Sequence, residues 1–200
     1  MSNDQEFIKS FVKKATEYDY EDYALIRTKL AEEDEFLPWE DIDKVNPQYF
    51  KNRVAEGDYK VFFLLNKTGD IVGFVNGLFR TGVEYYDYKV IIQIGILKEY
   101  RGQGGGKLLM DRLIKSWLNS GRYEFNLFVN PDNLAAIALY KKFSFEFKFN
   151  VIMTPQMEKI YGKLDYYELR VERPSMNPEY FNKLPILTVV NPNDLISYGE

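Results

Sequence analysis

Hydrophobic and polar positions divide this chain into short runs of two kinds. Residues 59–67 and 71–80 are apolar stretches separated by Thr68-Gly69-Asp70, which predicts two strands joined by a hairpin turn. Gly73 and Gly77 inside the second run mark bulges or a close approach of substrate. From Val90 to Leu97 only Gln93 is polar and only Gly95 is small, the composition of a strand buried on both faces. Leu108, Leu109, Leu113, Ile114, Trp117 and Leu118 then fall on one helical stripe, so a helix over 104–120 follows, with Gly121 placed to end it. Residues 123–129 read as another strand, stopped by Asn130-Pro131, and Asp132 is a natural N-cap for the short helix beyond. Phe143, Phe145, Phe147 and Phe149 alternate with polar residues, which predicts a strand over 143–151 with one buried face. Residues 152–163 read as a connection and 165–171 as the last strand.

Upstream, the pattern predicts a first strand over 7–14 and a helix over 20–33. A second helix starts at Pro47, capped by Asn46, and ends at Gly57. Residues 84–89 form a polar, tyrosine-rich connection at the hairpin tip. From Glu172 onward Pro174, Pro178, Pro185 and Pro192 interrupt any period. The chain therefore divides into a domain over 1–172 and a proline-punctuated extension over 173–200. The extension packs on its own domain, lies across the partner subunit of a homodimer, or stays partly loose.

Composition narrows the chemistry. With no cysteine and no histidine, the chain has no disulfide, thiolate or imidazole metal site, cysteine nucleophile or Ser-His-Asp triad. Catalysis must use carboxylates, Tyr, Lys, Arg, backbone or water. The polar, acidic N-terminus shows no signal peptide, and no apolar run approaches membrane-spanning length. The expectation is a cytoplasmic protein with no membrane partner. A net charge of −4 argues against nucleic acid. Between Glu17 and Asp43, eleven acidic residues face only Arg27 and Lys29, either a solvated helix face or a rim that attracts a cationic amine.

The turn Arg101-Gly102-Gln103-Gly104-Gly105-Gly106-Lys107 joins a buried strand to a helix N-terminus. Backbone amides bared by glycine, the helix dipole and two cations together suit a phosphate. A dinucleotide fingerprint needs glycine where Lys107 stands. A P-loop needs glycine at Arg101 and Ser or Thr at Leu108. The surviving spacing, Arg101-x-x-Gly104-x-Gly106, resembles the acyl-CoA pyrophosphate loop of the GNAT N-acetyltransferase superfamily. Asn133-x-x-Ala136-x-x-x-Tyr140, followed by Phe145, resembles the second signature of the same superfamily. Ser144 stands where the family usually has glycine, and Gly105 where a branched apolar residue is commoner.

The resemblance covers roughly residues 7–171. It implies an α/β (α+β) fold: a mixed, mostly antiparallel sheet of six to seven strands with a central parallel β-α-β unit, flanked by about four helices. It implies acetyl-CoA as acyl-donor cosubstrate, with no metal. Arg101, Gly102, Gln103, Gly104, Gly105, Gly106 and Lys107 would hold the pyrophosphate. Asn133 would contact the pantetheine arm, and Ile94, Gly95 and Ile96 would offer it a strand edge. Tyr140 would also reach the CoA sulfur as general acid, since a phenol with pKa ~10 can protonate a thiolate of comparable basicity. A backbone N–H such as that of Ile96 would polarise the thioester carbonyl. The absence of cysteine favours direct attack in a ternary complex over an acyl-enzyme. The base is Glu84, Glu124 or water. The acceptor is a primary amine, either a small polyamine-like molecule or a peptide N-terminus or lysine. The alternative is a non-catalytic acyl-CoA-binding module of the same fold.

Overall fold

The computed structural model describes residues 11–33, 46–79 and 89–171. Seven strands form one sheet in the order β1-β2-β3-β4-β5-β7-β6, from β1 (Phe11–Lys14) through β2 (Tyr59–Leu65), β3 (Ile71–Phe79), β4 (Val90–Ile96), β5 (Glu124–Val129) and β7 (Asp165–Arg170) to β6 (Glu146–Asn150). Every pairing is antiparallel except that of β4 with β5. The four expected flanking helices are α1 (Tyr20–Glu33), α2 (Pro47–Glu56), α3 (Gly105–Leu118) and α4 (Leu134–Lys142).

Local chemistry sets the boundaries. Asn46 Oδ1 accepts the Tyr49 amide at 2.8 Å, Pro47 opens α2, and Gly57 closes it at φ 81. Tyr23, Ile26 and Leu30 are spaced three and four apart and form the buried stripe of α1.

Helices cover both faces of the sheet. Tyr23 of α1 lies 5.3 Å from Phe74 of β3 and 5.2 Å from Phe50 of α2, an aromatic core on one face. Three residues along β3, on the opposite face, Gly77 meets Trp117 of α3. Gly77 therefore serves close packing within the protein rather than a bulge or a substrate. The register shift between β2 and β3 falls at Leu64/Leu65, beside Gly73.

Four expectations are corrected. The N-cap of α4 is Asn133, one residue later than Asp132: its Oδ1 accepts the Ala136 amide at 3.1 Å. The connection 152–163 contains a short helix, α5 (Pro155–Tyr161). Proline at its first position after Thr154 is a helix-start pattern that the sequence carried. The alternating phenylalanines do not make one buried face: Phe143 and Phe145 are buried, whereas Phe147 and Phe149 are 48% and 38% exposed. They lie on β6, the edge of the sheet, where Phe149 stacks on Tyr166 at 4.7 Å instead of entering the core. On β4, Ile91, Gln93, Ile94 and Ile96 are only partly buried, because the strand borders an opening.

Candidate active site

β4 and β5 start side by side and then separate. Their parallel ladder consists of Val90 with Phe125 and Ile91 with Asn126, and no later residue of β4 pairs with β5. Ile94, Gly95 and Ile96 thus present an unpaired edge to a cavity of about 350 Å³. The far wall is Phe128, Val129 and Asn130 at the end of β5 together with α4.

The glycine turn closes one end. Gly102 and Gly104 adopt φ 75 and 87, left-handed conformations that suit glycine. Gly104 is the N-cap of α3 and has no side chain to satisfy the first helical amides. Arg101 Nε donates to the Ile96 carbonyl at 2.7 Å, tying the turn to the end of β4. Arg101, Gly102, Gly104, Gly106 and Lys107 line the cavity.

Two residues expected with them do not line it. Gln103 Nε2 donates to the Glu99 carbonyl at 2.9 Å. Gly105 is buried against the sheet, where a Cβ would stand 2.5 Å from Leu64 Cδ2. Leu64 fills the space that a branched side chain at 105 would occupy.

Asn133 and Tyr140 line the same cavity from α4. Seven residues is two helical turns, so both fall on one face with Ala136 between them. Tyr140 is buried, its ring 6.1 Å from Phe145. The lining further includes Phe128, Val129, Asn130, Ala135, Ala138, Leu139 and Lys142, which the sequence reading did not single out. A signal existed: the small, apolar run of α4 leaves Ala135 and Ala138 exposed. The lining carries three cations, Arg101, Lys107 and Lys142, and no carboxylate. That charge balance suits an anionic ligand.

On the opposite face of the sheet, a hydrogen-bonded chain reaches β4 through the core. The Tyr59 and Tyr23 hydroxyls are 2.5 Å apart, Asn76 Nδ2 donates to Tyr23 Oη at 2.9 Å, and it donates to Gln93 Oε1 at 3.1 Å. Beside it, Lys89 Nζ is 2.8 Å from Glu168 Oε2, and Arg170 Nε is 2.5 Å from Glu168 Oε1. Burial pushes the Glu168 carboxyl up, but the hydrogen bonds from Lys89 and Arg170 outweigh it and hold the group below its ordinary range. Asn126 is fully buried, and neither of its amide atoms has a partner.

Glu84 lies outside the described residues. Glu124 is at the paired end of β5, four residues before Phe128 and thus about 13 Å along the strand from the cavity wall. Its carboxylate lies 4.0 Å from Arg170 Nε.

The site is thus an open parallel strand pair between a glycine turn and a short helix. The acetyltransferase (GNAT) family model matches residues 20–145, and the chain belongs to this family of N-acetyltransferases. An acetyltransferase of Sodalis glossinidius is 28% identical over 138 residues, spanning 68% of this chain and 89% of its own length. One from Yersinia pestis is 30% identical over 128 residues, spanning 59% of this chain and 86% of its own. Among solved structures, a GNAT acetyltransferase from Streptococcus pneumoniae superposes with a TM-score of 0.68 at 19% identity, over 82% of this chain and 99% of that one. A Salmonella typhimurium acetyltransferase solved with acetyl-CoA gives 0.64 at 18% identity, over 84% and 96%. Among the described residues no helix is long and apolar enough to cross a membrane.

Proposed function

We propose that this protein transfers an acetyl group from acetyl-CoA to a primary amine, by direct attack within a ternary complex. The observation that carries the reading is the separation of β4 from β5 after Ile91, which opens a cleft lined by three cations and no carboxylate. The residues present fit the cosubstrate. Arg101, Lys107 and the amides that follow Gly104 would hold the pyrophosphate. Asn133 spends its oxygen on the Ala136 amide, so its Nδ2 is the atom that would donate to the pantetheine arm. When bound, acetyl-CoA supplies the thioester, and the protein supplies orientation and protons.

Ile94, Gly95 and Ile96 would orient the arm along the open edge, and the Ile96 amide would polarise the carbonyl. Tyr140 Oη holds the proton that the leaving sulfur takes up. Since Glu168 is occupied by two cations and Glu124 is remote, Glu84 or water is left to carry the amine's proton away.

Calorimetric titration with acetyl-CoA tests the reading. Saturable binding is expected, weakened about 10-fold or more in a folded Arg101→Glu variant, followed by CoA release with an amine. Binding without turnover of any amine would favour the acyl-CoA-binding module. No binding by folded protein would end the proposal.

A further inference from the structure

The acceptor class is also legible, given the acetyl-transfer reading above. Gln93 is the only polar side chain on β4, and it lies one residue before the edge that lines the cleft. It pairs in register with Asn76, so its side chain is on the α1 face of the sheet, opposite the face that α3 covers. Its oxygen is taken by Asn76 Nδ2, itself held by Tyr23 and, through Tyr23, by Tyr59. Three buried residues therefore fix the orientation of one part-buried amide. With Oε1 engaged, the Gln93 amide nitrogen remains as a donor at the point where the strands part.

We propose that Gln93 positions the acceptor by donating a hydrogen bond to an oxygen close to its amine. The acceptor class is therefore an α-amino acid or a peptide N-terminus, whose carbonyl lies two bonds from the nitrogen. A protonated polyamine has no atom that can accept this bond. The charges on the same face agree. The strand carboxylates of that face, Glu124 on β5 and Glu168 on β7, already have cationic partners: Arg170 for the first, Lys89 and Arg170 for the second. Asn126, the last β5 residue paired to β4, adds another neutral amide to this face, buried and with unmet donors and acceptors. Uncharged hydrogen-bonding groups suit a peptide unit better than a polycation.

Initial rates would be compared for a pool of tetrapeptide amides with free N-termini and for spermidine. Thiol release is the readout, free of background because the chain has no cysteine. The peptide pool should exceed spermidine at least about 10-fold in kcat/KM. Gln93→Leu should raise KM for the peptides about 10-fold and leave acetyl-CoA affinity unchanged. Tyr23→Phe, which cuts the supporting chain one step back, should raise the same KM by a smaller factor. A merely structural role would move acetyl-CoA affinity and stability together with KM. Preference for spermidine, an unchanged KM in both variants, or no turnover of either amine by protein that binds acetyl-CoA would each overturn the assignment. Absence of acetyl-CoA binding would overturn the acetyl-transfer reading and this proposal with it.

Discussion

Trp117 lies directly over Gly77: a Cβ at position 77 would stand 2.4 Å from the indole Nε1 and 2.9 Å from Val90 Cγ1. The missing side chain lets α3 seat its largest residue against β3. Trp117 is itself held, with Lys60 Nζ 4.2 Å from its ring, so the indole has little room to retreat. Gly77→Ala is expected to lower the unfolding free energy by about 2 kcal/mol, since overpacking typically costs ~1–3. Urea denaturation checks it, and an unchanged midpoint would mean that the helix shifts at no cost.

Lys60 links stability to pH. Burial, with repulsion from Lys14 and Arg122 behind it, lowers its ammonium from 10.5 to about 8. Between those values the unfolded chain keeps a proton that the folded chain has lost, so stability rises with pH through this window. Lys60→Met should remove that rise, seen as converging wild-type and variant curves in denaturant melts at pH 7, 8, 9 and 10. A constant difference would show that the Ser116 carbonyl and Ser120 hydroxyl, at 2.8 and 2.6 Å, keep the ammonium charged.

Tyr140→Phe separates chemistry from binding at the cleft. Loss of a general acid should lower kcat about 10²-fold, while acetyl-CoA affinity stays within about threefold. Steady-state rates and calorimetry give the two numbers. An unchanged kcat would move the acid elsewhere.

Ser144 adopts φ 60, the left-handed conformation that glycine takes without strain. Ser144→Gly should stabilise the protein by about 0.5–1 kcal/mol, the relief exceeding the added freedom of the unfolded chain. Thermal and urea unfolding would report it. A loss of stability would mean that the serine contributes through its side chain.

Much of this architecture could be read from residue order. Capping pairs such as Asn46-Pro47, the glycine turn and the Pro131 break are local, and local chemistry fixed those boundaries. The two motifs that meet across the cleft were identified without coordinates because their spacing is specific. What escaped the reading is non-local. Alternation from Phe143 to Phe149 reports a strand, but not that β6 lies at an edge with nothing over half of it. The glycine run looks uniform in sequence, yet Gly105 turns inward to Leu64 while Gly104 and Gly106 face the cleft. Glu168 carried no signal of its own and Gln93 stood out only as the one polar residue of its strand, because what each does depends on partners 79 and 17 residues away.

The two-residue junction between β4 and β5 also has a mechanical meaning. Strands β1 to β4 form one zippered leaf and β5, β7 and β6 another, stitched to each other at a single short seam. Helix α3 packs chiefly on the first leaf, against β2, β3 and β4. A molecule seated in the cleft bridges the leaves along the length where the backbone leaves them apart. Occupancy of the site is therefore coupled to the rigidity of the whole sheet, and the second leaf is the part of the protein that a bound cosubstrate should quieten most.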